Sequence, residues 1–104
     1  MFTSVENKKN ELINLYKSLD VDKMYIFGSA TGADFRIDSD LDFSISFSEN
    51  ISTEEYTDNF FELYYSLGLL FNRKIDLITE NSLSNPYFIQ SVNASKVLLY
   101  KSGN

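Results

Sequence analysis

The hydrophobic and polar positions along the first part of the chain predict a helix and then a strand. Between residues 3 and 19 apolar residues recur at helical spacing after the capping-box pattern Thr3-x-x-Glu6, which predicts a first helix. Met24 to Phe27 is a short apolar run that ends at Gly28, as a buried strand does. The small and polar residues 28–40 predict a loop, or a short helix followed by a turn. The buried face of the first helix would consist of Val5, Leu12, Tyr16 and Leu19.

The remaining pattern predicts three more strands and two more helices. Apolar and polar residues alternate from Leu41 to Phe47, which indicates a strand with one apolar and one polar face. A helix should follow the capping pattern Ser52-x-x-Glu55 and end near Gly68. We interpret its aromatic stripe as core packing in preference to an adenine platform. The stripe consists of Tyr56, Phe60 and Tyr64, and Leu63 and Leu67 share its spacing. The later elements are a strand over 74–79, a helix from Asn85-Pro86 to about Ala94, a strand over 97–100 and a solvated tail over 101–104.

Length, charge and composition narrow the class of protein. The 104 residues suit one domain, with an α/β (α+β) fold in which helices flank a small mixed sheet of about four strands. Nine Lys and Arg against 15 Asp and Glu give a net charge of −6, which disfavours nucleic acid as a direct partner. With no Cys and no His, disulfides, thiolate metal sites and His-based triads are excluded. No apolar run suits a signal peptide or a membrane span, so a soluble, cytoplasmic protein is expected.

Three aspartates are the candidate metal-binding and catalytic residues of this sequence. Strand alternation places Asp40 and Asp42 on one side of an extended chain, about 6.6 to 6.8 Å apart at Cα. Two such carboxylates repel, and Mg²⁺ relieves the repulsion while leaving positions open for water and phosphates. Asp76 interrupts an apolar run, where an unpaired buried charge would be costly. If the two strands are adjacent, the three carboxylates converge. Alternatively, Asp40 and Asp42 are ordinary residues of a solvated strand edge. Asp76 could likewise be a charge that protects an edge strand from aggregation.

Gly28-Ser29 is a candidate phosphate-binding turn. A glycine lets the backbone approach a phosphate closely, and Ser29 adds a hydroxyl, although each residue alone would equally suit a strand end or a helix cap. Gly28-Ser29, ten residues and then Asp40-x-Asp42 resemble the signature of the polymerase-β-like nucleotidyltransferases. The likeness runs from the strand at Met24 to the strand at Val97. The short chain is similar to the minimal nucleotidyltransferases (MNT), several of which are antitoxins paired with HEPN toxins.

The resemblance implies a role for each of these residues. Asp40 and Asp42 would ligate two Mg²⁺ ions, and Asp76 would ligate the nucleophile-side ion and help to activate the acceptor hydroxyl. Gly28 and Ser29 would hold the triphosphate of ATP. The implied reaction is transfer of AMP from ATP to a hydroxyl, which in the HEPN-paired group is a tyrosine of the toxin.

The chain departs from the family pattern at its phosphate-binding turn. Many relatives carry Arg directly after Gly-Ser and Gly three positions later, whereas this chain has Ala30 and Ala33. Loss of that Arg would weaken phosphate binding. Arg36 is the candidate nucleotide-binding cation, although it equally suits a surface residue, and Arg73 or Lys74 could serve instead.

Three functions remain open at this point. The small size leaves no helical region to hold an acceptor, which favours adenylyl transfer onto a partner protein such as a HEPN toxin. Ala30 favours a catalytically weak binding module that neutralises its partner by contact. Transfer to a small molecule or to a tRNA end would need an acceptor site that the pattern does not locate.

Overall fold

A four-stranded mixed sheet with helices packed on its faces forms the structure. The computed structural model describes residues 3–32, 35–36 and 38–103. The elements in chain order are α1 (Thr3–Asn7), α2 (Lys9–Ser18), β1 (Val21–Phe27), β2 (Leu41–Phe47), α3 (Thr53–Phe71), β3 (Ile75–Thr79), α4 (Pro86–Ser95) and β4 (Val97–Lys101). Short 3₁₀ turns cover Gly28–Thr31 and Glu80–Ser82. The predicted mixed sheet flanked by helices is confirmed. In this described part of the chain, no helix has the length and apolar character needed to cross a bilayer.

The strand order brings the end of β1 next to the beginnings of β2 and β3. The order is β3-β2-β1-β4, with β1 antiparallel to both β2 and β4 and with β2 parallel to β3. A parallel pair needs a long crossover, and α3 supplies it. These three strand termini therefore lie side by side at the same end of the sheet.

The main core lies between one sheet face and helices α2 and α3. The strand residues Met24, Ile26 and Ile45 are completely buried there, together with Leu63 and Leu67 of α3. The apolar run of β1, the alternation in β2 and the helical periodicity of α3 thus predicted these core residues correctly. On the opposite face α4 packs against the sheet, and the rings of Phe27 and Phe88 are 6.1 Å apart. Because α4 covers this face, Ser44 is buried, although the sequence placed it on a polar face.

The predicted aromatic stripe of α3 divides into two parts. Tyr56 and Phe60 are partly buried and pack against the core, as predicted. Tyr64 is 44% exposed, so its assignment to the core is wrong. Successive residues of a helix are rotated by about 100°, so residues four apart drift gradually around the helix. Tyr64 has thereby moved out of the face of α3 that packs on the sheet.

Side-chain caps begin two helices where the sequence predicted them. Ser52 Oγ accepts the backbone N–H of Glu55 at 3.1 Å and caps α3. Asn85 Oδ1 accepts the backbone N–H of Tyr87 at 2.9 Å, and Pro86 occupies the first turn of α4. Both are short-range patterns, in which the capping side chain and the backbone N–H that it accepts are three or fewer residues apart.

Helix ends differ from the prediction in two places. The first helix is interrupted at Lys8, which separates α1 from α2, and the side chain of Thr3 lies outside the described residues. α3 continues beyond Gly68 to Phe71 and ends where Asn72 adopts a left-handed φ of 51°. The Asn72 N–H donates to the Gly68 carbonyl at 2.9 Å. Asparagine therefore takes the terminating role that the sequence assigned to glycine.

Three strand boundaries also differ. β3 begins at Ile75 instead of residue 74. β1 begins at Val21 instead of Met24. β4 includes Lys101, and Ser102 donates its backbone N–H and its hydroxyl to Asp22, each at 2.6 Å. The predicted solvated tail is therefore anchored through residue 102, while residue 104 lies outside the described part.

Candidate functional site

Asp42 and Asp76 lie side by side on neighbouring strands. The parallel register of β2 and β3 pairs Asp42 directly with Asp76. Paired strand residues have Cα atoms about 4.8 Å apart and project from the same face of a sheet. On its other side Asp42 pairs with Phe27, the last residue of β1. The strand adjacency on which the sequence argument depended is therefore present, and Asp42 lies at its centre.

Asp40 lies just before β2, at the surface beside the other two carboxylates. Its Oδ2 is 3.8 Å from Lys74 Nζ, and both side chains are largely solvent-accessible. The Leu41 N–H donates to the Lys74 carbonyl at 3.1 Å, which holds the beginning of β2 against the residue that precedes β3. An exposed ion pair of this length adds little stability, so Lys74 only partly offsets the local negative charge.

The three carboxylates form an electrostatically strained cluster. Burial raises the pKa of Asp42 to about 6, and the charges of Asp76 and then Asp40 add to the rise. The sequence anticipated repulsion between carboxylates, and the structure adds burial as the larger cause. A cation would relieve both effects because it stabilises the ionised form.

The donor set fits a cation shared with a substrate better than a closed protein cage. Among the described residues, no three Asp, Glu, Cys or His side chains form a group that could hold a metal ion by themselves. Mg²⁺, however, is commonly held by one or two carboxylates and completes its shell with water and substrate phosphates. Asp42 and Asp76, with Asp40 nearby, suit that arrangement.

Gly28 makes room for the Asp42 carboxylate. Its φ is +74°, a conformation that favours glycine. A β-carbon built on Gly28 would lie 2.6 Å from Asp42 Oδ2, closer than real β-carbons approach. Gly28 therefore allows both the turn after β1 and the close approach of the Asp42 carboxylate to that turn.

The backbone of Gly28 is held by a residue that the sequence did not single out. Its N–H donates to Ser95 Oγ at 2.9 Å, and Ser95 Oγ in turn donates to the Ser91 carbonyl at 3.3 Å. The Gly28 carbonyl accepts the hydroxyl of Thr31 at 2.9 Å. Ser95 is the last residue of α4, far from Gly28 in sequence, and no local pattern could have identified it. Ser29 is half-buried in the 3₁₀ turn, and its carbonyl accepts the Gly32 N–H.

Arg73 fixes the loop that leads into Asp40. Its Nη1 donates to the carbonyls of Arg36 at 3.1 Å and of Ser39 at 2.8 Å. Its guanidinium also lies 4.5 Å from the centre of the Phe35 ring. The side chain of Arg36 is exposed, while its backbone takes part in this loop structure. The sequence suggested Arg73 as an alternative to Arg36 for neutralising the phosphates. In the structure, Arg73 holds the loop before Asp40 in place.

The comparison with known families decides the class of chemistry. The family described as polymerase beta, nucleotidyltransferase, matches residues 10–104. The chain belongs to the polymerase-β nucleotidyltransferase family. It is therefore a nucleotidyltransferase, as the sequence motif predicted.

Curated relatives of this nucleotidyltransferase include proteins of Methanocaldococcus jannaschii. "Putative protein adenylyltransferase MJ0126" is 35% identical to it over 88% of this chain and 86% of that protein. "Putative protein adenylyltransferase MJ1217" is 33% identical over 82% of this chain and 83% of that protein. The matched regions cover most of both partners in each comparison.

Solved structures share the nucleotidyltransferase fold. The structure described as "Structure of putative minimal nucleotidyltransferase" has a TM-score of 0.70 at 21% identity, with 93% of this chain and 95% of that chain covered. A toxin–antitoxin structure with AMP-PNP has a TM-score of 0.67 at 21% identity, covering 90% and 73%. The complex of a tri-AMPylated Shewanella oneidensis HEPN toxin with an MNT antitoxin has a TM-score of 0.62 at 19% identity, covering 93% and 72%. At these identities the likeness establishes the fold.

The position that carries Arg in many nucleotidyltransferases is a core position here. Ala30 is 1% exposed and belongs to the hydrophobic core. An arginine side chain in this orientation would bury its charge, which is costly without a partner. The other departure, Ala33, lies outside the described residues. At the position of the missing Arg this chain thus has a small side chain that packs into the core.

Proposed function

We propose that this nucleotidyltransferase transfers AMP from ATP to a hydroxyl of a partner protein, with Asp40, Asp42 and Asp76 as its catalytic carboxylates. The observation that carries the proposal is the in-register pair Asp42 and Asp76, which shares one sheet face beside the glycine turn. A raised pKa in such a cluster is typical of a functional site. The names of the M. jannaschii relatives support protein as the acceptor.

The reaction is a single displacement at the α-phosphorus of ATP. The acceptor oxygen forms a bond to this phosphorus, the bond to the bridging oxygen of the β-phosphate breaks, and pyrophosphate leaves. The hydroxyl proton passes to the carboxylate of Asp76, which is exposed and can reach an incoming group. Two Mg²⁺ ions, when bound, lower the pKa of the acceptor hydroxyl and stabilise the charge on pyrophosphate.

The remaining residues of the site position ATP. In this proposal Gly28 and Ser29 contact the triphosphate, because a glycine and a small side chain allow close approach of a phosphate to the backbone. Arg36 lies in the loop anchored by Arg73, and its exposed side chain can extend to the phosphates.

We further propose that the acceptor is a tyrosine of a HEPN toxin and that the chain acts as its antitoxin in the cytoplasm. The support is the fold shared with chains of toxin–antitoxin complexes, one of them containing an AMPylated HEPN toxin. Attachment of AMP to tyrosine adds bulk and negative charge, which is sufficient to block a site that depends on that hydroxyl.

A labelling experiment tests the proposal. The purified chain is incubated with Mg²⁺, the HEPN-type protein encoded in the neighbouring reading frame, and ATP labelled at either the α- or the γ-phosphate. Label should transfer from the α-position only, onto tyrosine. Transfer from the γ-position would identify a kinase instead, and no transfer with any nucleotide would refute adenylylation.

Matched aspartate variants assign the activity to the site. Asp42→Asn should abolish transfer because it removes a charged ligand without changing shape. Asp20→Asn is the control, since Asp20 lies at the exposed end of α2 and asparagine also tolerates its left-handed φ of 59°. Equal activity of wild type and Asp42→Asn would remove Asp42 from the mechanism.

A contact-only antitoxin is the second candidate, and two observations favour it. The Gly28 N–H is already bonded to Ser95, and the core position of Ala30 removes a phosphate-binding cation. Under this alternative, a double variant with Asp40→Ala and Asp42→Ala would still protect cells from the toxin. Under the enzymatic proposal the same variant loses protection while it still binds the toxin.

A further inference from the structure

The outer face of α3 is apolar although it faces solvent. Phe61, Tyr65 and Leu69 recur every four residues and are 62%, 65% and 67% exposed, and Tyr64 beside them is 44% exposed. Four-residue spacing places side chains in one row along a helix. Scattered exposed apolar residues are ordinary, whereas a continuous row indicates an interaction surface.

This row borders a groove between α3 and the edge strand β3. At one end, a cavity of about 220 Å³ includes Gly68, Leu69, Arg73, Lys74 and Ile75 among its lining residues. At the other end, a cavity of about 260 Å³ includes Phe60, Phe61 and Thr79 among its lining residues. We call the row and these two cavities the α3 groove. Ile75 lines this first end, whereas Asp76, the next residue of the edge strand β3, projects from the opposite face of the sheet.

Exposed acidic side chains flank the apolar row, and the two cations that line the first cavity, Arg73 and Lys74, contact a loop carbonyl and Asp40. Glu54, Asp58 and Glu62 are exposed and also recur every four residues, directly beside the apolar row. The whole chain carries a net charge of −6. A complementary surface would therefore present apolar side chains flanked by Lys or Arg.

We propose that the α3 groove binds a helix of the acceptor protein, with apolar residues at four-residue spacing and basic residues beside them. This inference rests on the proposed function, because the bound helix would belong to the protein that supplies the acceptor hydroxyl. A second copy of this chain is a poorer occupant, since it would bring another acidic row and another charge of −6 to the same interface. Helix-in-groove recognition uses this residue spacing.

Gly68 offers a direct test of the α3 groove. A β-carbon added at Gly68 meets nothing within 4 Å, so the free chain has room for a side chain there. Arg also has a higher helix propensity than Gly, so Gly68→Arg should leave the fold intact or stabilise it. In the complex, the same side chain would occupy the groove with bulk and charge.

The experiment measures binding and transfer separately with the purified HEPN-type protein encoded beside this chain. Calorimetry without ATP should show binding to wild type and a loss of at least about 10-fold in affinity for Gly68→Arg. Label transfer should show a raised KM for the protein acceptor. Asn10→Arg is the control, because it adds the same charge at an exposed position of α2. Glu62→Lys should weaken binding mainly at low salt.

Separate readouts distinguish failure of the groove from failure of the enzymatic proposal. If wild type binds the partner and Gly68→Arg does not, the groove is supported even when no label is transferred. If Gly68→Arg binds and is active like wild type, or if wild type does not bind the partner, the inference is wrong. It is also wrong if wild type self-associates through this face, so that Gly68→Arg is monomeric while partner binding persists.

Discussion

Gly28 and Asp42 are packed so closely that a β-carbon on the first would lie 2.6 Å from a carboxylate oxygen of the second. The glycine of the turn and the central aspartate of the cluster therefore constrain one another. The backbone at Gly28 adds a second constraint through its φ of +74°. A change at this glycine should consequently affect the candidate site at Asp42 more than the fold.

Gly28→Ala is expected to reduce AMP transfer by about 100-fold, because the added carbon displaces the Asp42 carboxylate. The positive φ should cost only about 1 to 2 kcal/mol of stability. Label transfer and urea unfolding check the two effects. Gly32→Ala is the control, since a β-carbon there meets nothing within 4 Å and its φ of −126° suits any residue. Equal losses in the two variants would contradict the specific role of Gly28.

Asp42 should make the cation-free protein less stable as pH rises. Its folded-state pKa of about 6 lies above the ordinary value of 3.8, so the folded chain binds the proton more tightly than the unfolded chain. The stabilisation is complete below about pH 4 and is lost as pH rises through about 6. Asp42→Asn should match wild type near pH 4 and exceed it at pH 8 by on the order of 1 to 2 kcal/mol, after allowance for solvent screening. Urea unfolding in EDTA across this range measures the difference, and a pH-independent gap would disprove the linkage.

Ser95→Ala should destabilise the turn after β1 without touching the aspartates. The substitution leaves the Gly28 N–H without its acceptor, at a cost of about 1 kcal/mol for a partly buried donor. Thermal unfolding checks the loss, and hydrogen exchange at the Gly28 amide should accelerate. Ser91→Ala on the same helix changes a side chain that is exposed, and should have almost no effect. Unchanged exchange at Gly28 would argue against the bond to Ser95.

Arg73→Lys should loosen the loop before Asp40 although the charge is retained. Lysine lacks the planar group that reaches two carbonyls while it lies over Phe35. We expect hydrogen exchange in residues 35–40 to accelerate by about 10-fold, which corresponds to about 1.4 kcal/mol. Arg36→Lys, at an exposed side chain, provides the comparison. If both variants exchange alike, Arg73 does not anchor the loop.

Restoring the family arginine at Ala30 should damage the protein. Ala30 is 1% exposed in the core, so Ala30→Arg buries a charge and is expected to lower stability by more than about 3 kcal/mol. Ala94→Arg places the same side chain at an exposed position of α4 and should be tolerated. Thermal unfolding distinguishes the two. A stable, more active Ala30→Arg protein would show that the turn retains room for the side chain.

Short-range patterns predicted most elements of this fold. The caps at Ser52 and Asn85 and the alternation in β2 concern residues within a few positions of one another, and the structure contains all three. The end of α3 was misplaced because Gly68 and Asn72 can both end a helix, and burial of Phe71 decides between them. Tertiary packing therefore determined what local propensity left open.

The candidate site was only partly accessible from sequence. The spacing of the motif identified Gly28, Asp40 and Asp42, and a charge within an apolar run identified Asp76. The contributions of Ser95 and Arg73 depend on contacts across the fold, between residues that share no periodicity. The catalytic roles of the aspartates stay predictions until the variants above are measured.

The parallel pairing of β2 with β3 also has a consequence for the order of folding. Asp42 and Asp76 are separated in the chain by the whole of α3, so they become neighbours only after that crossover has packed and β3 has joined the sheet. Their repulsion is therefore weak early in folding and strongest in the finished structure. If β3 joins the sheet after the transition state, this repulsion acts mainly on the rate of unfolding. The lifetime of the folded chain consequently depends on whether protons or cations neutralise the aspartates.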